Sequence, residues 1–160
     1  MNWAEFAGIA PDLARLGDDR FGRSGLALVG TIRRDGSPRI SPVEPYIVNG
    51  ELLLGMMWQS WKALDLLRDP RLVVHSSTAD RSGGEGDFKL YGRAIEEPRD
   101  DWRVHYGDAT KARINWRPSG PFHLFRIDIE SAAYVVFTPD AYGLRWSAGG
   151  AVERFEVPNE

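Results

Sequence analysis

The chain has no cysteine at all, which removes disulfides, thiolate nucleophiles and cysteine-ligated metals together. It has only three histidines, His75, His105 and His123, far apart in sequence and without cysteine to help them, so no metal site is expected. No apolar stretch is long enough to span a bilayer, and no N-terminal apolar run resembles a secretory signal, so a cytoplasmic protein with no membrane partner is expected. Nor is there an excess of positive charge. With 20 Lys and Arg against 23 Asp and Glu, interspersed and summing to -3, the chain shows no basic face of the kind that meets a nucleic-acid backbone.

What remains is ordinary globular composition, 42% hydrophobic and 27% charged over 160 residues, enough for one core and one domain spanning 1–160. Residues 2–21 place Trp3, Phe6, Leu13 and Leu16 at roughly helical spacing, with Pro11 suited to the first turn of a second helix, so 1–22 reads as a helical lid. Leu26 to Arg34 is rich in β-branched and aliphatic residues and closes on Asp35-Gly36, a dipeptide suited to a tight hairpin turn. The return strand, Arg39 to Val48, carries or adjoins Pro38, Pro42 and Pro45, which forfeit ladder donors and point to an edge or a bulge. Asn49-Gly50 makes a second hairpin turn into the strand Glu51–Met57.

A short helix follows from Trp61 to Asp69, with Ser60 as N-cap, Trp61, Leu64 and Leu67 as its apolar stripe, and Pro70 as its stop. Arg71–Ser77 reads as a strand, Ala79–Asp87 as a mobile polar loop, Phe88–Glu97 as a strand and roughly Arg99–Arg113 as a helix. Two further strands are expected at Phe122–Glu130 and Ala132–Thr138, and a C-terminal hairpin within 140–160 turning at Gly149-Gly150. Many strands joined by hairpin turns and broken by short helices predict a mainly β, antiparallel, Greek-key barrel rather than a parallel α/β sheet.

The chemically pointed segment is Gln59-Ser60-Trp61-Lys62 at the start of the short helix. A helix N-terminus presents unpaired backbone N–H groups and a partial positive charge, which together hold a phosphate. Ser60 adds a hydroxyl, Lys62 a full charge and Gln59 an amide donor. The residues alone leave two readings open: this phosphate site, or a capped helix with a solvated lysine. His75 reads as a core or barrel-lumen residue, and the acidic pairs Glu96-Glu97 and Asp100-Asp101 as solvated carboxylates or carboxylates favoured by a helix dipole. Gly83-Gly84-Glu85-Gly86 fits no phosphate loop and reads as flexible cover.

The ordered set Gly30-Thr31-Ile32-Arg33-Arg34-Asp35-Gly36-Ser37-Pro38-Arg39-Ile40-Ser41-Pro42-Val43, then Leu52-Leu53-Leu54, then Ser60 to Arg71 resembles the pyridoxamine 5'-phosphate oxidase-like flavin-binding split barrels, over about residues 24–97 and more vaguely to about 138. The resemblance implies a split β-barrel of the FMN-binding type. It also implies a homodimer holding flavin mononucleotide (FMN), or the F-420 deazaflavin, in clefts between subunits. Lys62 and Ser60 fall on the phosphate-gripping positions, with Gln59 and Trp61 standing where many relatives carry a second basic residue. Arg39, Ser41, Met57 and Trp58 fall beside the ring and ribityl chain, and Arg145 and Trp146 are placed to cover the partner's cofactor. The implied chemistry is hydride transfer through the flavin to a small substrate, with no side chain assigned a catalytic role. The C-terminal stretch lacks the Arg-rich, W-x-x-x-R-L ending of the founding oxidases, so their own reaction is not expected. The alternative is a non-catalytic dimer that holds a flavin or a haem-related ligand.

Overall fold

The computed structural model describes residues 1–157, so the last three positions of the expected 140–160 tail lie outside the described residues. Two helices open the chain, α1 (Trp3–Ile9) and α2 (Pro11–Ser24). Asn2 and Glu5 form a reciprocal capping box on α1, Pro11 occupies the first turn of α2, and Gly25 closes α2 at φ 67. These helices are not a lid. Trp3, Phe6, Leu13 and Phe21 are buried in the main core, where Phe6 meets Trp146 at 5.2 Å and Phe21 meets Phe88 edge-on at 5.5 Å.

The strands are β1 (Ala27–Ile32), β2 (Pro38–Val43), β3 (Pro45–Val48), β4 (Glu51–Met57), β5 (Arg71–Ser76), β6 (Asp87–Glu96), β7 (Phe122–Val136), β8 (Tyr142–Ser147) and β9 (Glu153–Phe155). Helix α3 (Trp61–Arg68) sits between β4 and β5, and α4 (Asp100–Ile114) between β6 and β7. All pairings are antiparallel, in the order β2-β1-β5-β6-β7-β4-β3, with β8 and β9 added along β7.

The expected single return strand is broken at Glu44 into β2 and β3, which occupy opposite ends of that path. One residue therefore carries the chain from one sheet edge to the other, and the sheet must curl to bring those edges together. Pro42 and Pro45 flank the crossing, at edges where a missing ladder donor costs nothing. The two strands expected near 122–138 are one, β7, long enough to pair with β6 along its length, β4 in its first half and β8 in its second. A register shift at Tyr91/Gly92 lets it keep both partners.

Strand β4 is buried on both faces. Leu52, Leu54 and Met56 point into the barrel core with Val29, Val74, Leu90, Phe125 and Ile127, while Leu53 joins Tyr46, Tyr106 and Leu124 in a smaller cluster under α4. Helix α3 is rotated from its expected stripe: Ala63, Asp65 and Leu66 are buried, whereas Trp61 and Leu67 are exposed. The cause is Asp65, whose carboxylate accepts from Thr31 at 3.0 Å and Arg39 at 2.6 Å and pairs with Arg68, pinning that face inward. No helix of the described residues is long and apolar enough to cross a membrane.

Candidate functional site

Where β4 leaves the sheet, the chain turns sharply. Ser60 N–H donates to the Met57 carbonyl at 3.1 Å, and Gln59 takes the left-handed φ of 56 that a non-glycine residue adopts only under local constraint. Beside this turn opens a pocket of about 480 Å³. One wall is the strand end Gly55–Trp58. A second is the crossing Pro42-Val43-Glu44, with Leu26 and Lys62 beside it. The far wall comes from α4 and the segment after it, Tyr106, Trp116, Pro118–Pro121 and Phe122. Such an aromatic and apolar hollow with a few polar groups is the ordinary form of a small-molecule site.

The far wall is held by backbone anchors. Arg103 donates to the Phe122 carbonyl at 2.6 Å with its guanidinium 4.9 Å over the Phe122 ring, and Arg117 pairs with Asp108. Arg113 lies 4.1 Å over Tyr46 and donates to the Pro45 carbonyl at 2.8 Å, tying α4 to β3. Gly55 is glycine for a packing reason: a Cβ there would run into the Tyr106 hydroxyl. Burial pushes that phenol far above its ordinary range, so it stays protonated.

Lys62 carries the pocket's positive charge. Its ammonium donates to the Pro42 carbonyl at 2.6 Å, and half-burial pulls its pKa below that of an ordinary lysine, with Glu44 opposing the shift. Glu44 in turn accepts from the Tyr46 hydroxyl at 3.3 Å. Ser60 stands at the N-cap of α3, yet its side chain makes no capping bond. The hydroxyl oxygen is buried and has no hydrogen-bond partner among the described residues. A buried hydroxyl without a partner beside free helix N–H groups suits an incoming anion, and Lys62 supplies the matching charge, so these residues fit a phosphorylated flavin-type group.

Of the residues expected at the site, Met57, Trp58 and Lys62 line the pocket, and Gln59, Ser60 and Trp61 form the turn beside it. Arg39 and Ser41 are not among its lining: Arg39 is committed to Asp65, and Ser41 lies opposite Val29 in the β1–β2 ladder. Trp146 cannot cover a partner's cofactor, because it is 2% exposed in the core, and Arg145 pairs with Glu153 at 2.7 Å. Glu97 is not solvated. It is buried between Arg99 at 2.7 Å and Arg126 at 2.6 Å, and the Arg99 bonds hold its pKa down to about 2. His75 lies outside the core, shares a face with Leu28 and Lys89, and pairs with Asp87 at 3.5 Å. The Ala79–Asp87 loop is internally bonded, with Asp80 accepting from the N–H groups of Ser82, Gly84 and Glu85.

Sequence reasoning missed Glu44, Tyr106, Trp116 and Phe122. Only the proline-bracketed Arg117-Pro118-Ser119-Gly120-Pro121, too stiff for a random linker, hinted at a built wall. It also missed His123, whose imidazole stacks under Trp58 with centroids 4.5 Å apart and planes 8° from parallel.

No family model matches the chain, and no curated protein sequence matches it. Solved structures do. ChuZ from Campylobacter jejuni superposes with a TM-score of 0.72 at 14% identity, covering 97% of this chain and 66% of that one. A protein from Clostridium acetobutylicum related to general stress protein 26 of the pyridoxinephosphate oxidase family gives 0.59 at 13%, covering 91% and 96%. A haem-binding protein from Mycobacterium smegmatis gives 0.59 at 15%, covering 88% of this chain, which spans only 57% of that protein's length. The antiparallel sheet, its strand order and these likenesses agree: the chain has the split-barrel fold of the pyridoxamine 5'-phosphate oxidase-like proteins.

Proposed function

We propose that the chain is a cytoplasmic, homodimeric oxidoreductase that binds a flavin-type cofactor, FMN or the F-420 deazaflavin, at this pocket and serves hydride transfer to a small substrate. The observation that carries the reading is the buried, unpartnered Ser60 hydroxyl at the start of α3, two positions before the half-buried Lys62. Ser60, Lys62 and the first N–H groups of α3 would hold the phosphate, with Gln59 donating beside them. Met57 and Trp58 would flank the ring. A bound flavin supplies the two-electron chemistry. The chain's own part is to bind, orient and exclude water: Tyr106 keeps its proton, and the Trp116–Pro121 segment closes the far side.

Dimerisation is supported by exposed apolar residues on one sheet face, beside the His75, Asp87 and Lys89 cluster that shares it. Register puts Ile40, Gly30, Val73 and Tyr91 in one row across β2, β1, β5 and β6, and Pro42 and Leu28 in the next, with Ile40 72% exposed. The test is the visible spectrum of the purified protein, followed by titration with FMN and F-420 deazaflavin and an assay of nicotinamide oxidation. Saturable binding with turnover supports the proposal, and binding of neither ring refutes it. Tight binding without turnover favours the second reading, a carrier of flavin or a haem-related ligand. That reading draws on the fold shared with the mycobacterial haem-binding protein.

A further inference from the structure

Trp58 and Trp116 line the pocket, Trp61 opens α3 beside it, and all three rings are largely exposed. Of these three, only Trp58 has a stacking partner among the described residues. That partner, His123, is 2% exposed and is not part of the pocket lining. Its Nδ1 meets the Glu96 carboxylate at 3.0 Å, and its ring lies near-parallel to Phe125 on β7, centroids 6.2 Å apart. Its Nε2 is buried with no partner among the described residues, a cost that a phenylalanine at this position would not carry. What the histidine adds is the Glu96 bond, which fixes the rotation of the ring against which the indole lies.

We propose that His123, oriented by Glu96, is a positioning residue for the pocket: it holds the Trp58 indole as a flat wall, ready to receive a planar ring. This rests on the flavin reading above for the identity of the ring, but not for the placement of Trp58. An exposed tryptophan free to change rotamer would have to be ordered when ligand binds, and one already stacked does not.

The test compares wild type, His123→Leu and His123→Phe in FMN titrations. Alongside, Trp58 emission in the ligand-free protein is taken as the difference between each protein and its Trp58→Phe counterpart. Leucine removes the aromatic stack and should weaken binding roughly two- to tenfold, the range one aromatic pair carries. Phenylalanine keeps the stack and should restore most of the affinity. Trp58 emission should shift to the red in the leucine variant, because an indole freed from the ring beneath it turns further into water, and should stay near the wild-type wavelength in the phenylalanine variant. Equal affinity in wild type and His123→Leu with unchanged emission would overturn the proposal, as would a phenylalanine variant no better than leucine. If the wild type takes up no FMN, the flavin reading fails, and the emission comparison decides the positioning role alone.

Discussion

Replacing Lys62 by methionine separates the phosphate reading from the structural one, because the two predict changes in different quantities. The ammonium is half-buried, and its one hydrogen bond among the described residues is to the Pro42 carbonyl at 2.6 Å. Burial lowers its pKa from the usual 10.5, so the folded chain holds this proton less tightly than the unfolded chain does. That difference costs stability at pH values below the lowered folded pKa and vanishes above the unfolded one. Methionine keeps the stem and drops the charge, so the ligand-free melting temperature should stay level or rise. A charge-assisted bond to phosphate contributes about 1.5–3 kcal/mol, so FMN affinity should fall roughly 10- to 150-fold. Riboflavin, with the same ring and no phosphate, should bind within about twofold of wild type. The wild-type preference for FMN over riboflavin should also fade as pH rises through the lowered lysine pKa, and the methionine variant should show no such fading. Fluorescence titrations of both ligands at several pH values read all of this. Equal losses for FMN and riboflavin, or no loss for either, would refute the phosphate assignment.

Three further outcomes follow from the geometry. Glu97, held down to about 2 by its arginine partners, contributes stability that is full above its unfolded value of 4.5 and is lost as pH falls toward 2. Acid denaturation of Glu97→Gln should therefore be flatter over that window, at the expense of a lower midpoint at neutral pH. Gly55→Ala forces Tyr106 aside and should destabilise by about 1–3 kcal/mol in urea unfolding, with weaker ligand binding because Tyr106 lines the pocket. Ile40→Glu places a charge among the exposed apolar residues of that sheet face; if the proposed dimer uses this face, sedimentation should show the wild type as a dimer and the variant as a monomer, and an unchanged dimer would move the interface elsewhere.

The parts of the fold legible in the sequence are those written in contiguous residues. Asp35-Gly36 and Asn49-Gly50 take the positive φ their composition invites, 84 at Gly36 and 50 and 79 at Asn49 and Gly50, so β1, β4 and the extended segment between the two turns were readable by eye, but not its division into β2 and β3. Pro70 stops α3 where expected. Prolines 42 and 45 marked an edge, but not that Glu44 alone joins opposite edges, since that depends on where β5, β6 and β7 insert. The stripe of α3 was misread because hydrophobicity favours Trp61 and Leu67, and the winning contact is polar, from Asp65 to Thr31 and Arg39 on strands some 30 positions away. Trp146 and Glu97 were misread likewise, since the partners that bury them come from α1 and β7.

The candidate site was half legible for a related reason. Its near wall, Met57 to Lys62, is one continuous segment and carries its own signals: a strand end, a cap and a cation. Its far wall comes from α4, a helix with no clean apolar stripe, whose buried contacts are Tyr106, Gly107 and Thr110. Nothing local marks such a helix as a lining. Yet the position of the pocket follows from β4 once the pairing is known. The strand is covered on one face by the barrel core and on the other by the cluster under α4, and both coverings end where it leaves the sheet. Past that point Met57 and Trp58 are exposed between two packed layers that no longer meet, and the gap between the layers opens beside the first turn of α3. A strand sandwiched on both faces that runs out beside a helix N-terminus creates an apolar slot next to an anion-binding end, and that pairing is what a phosphorylated planar ligand requires.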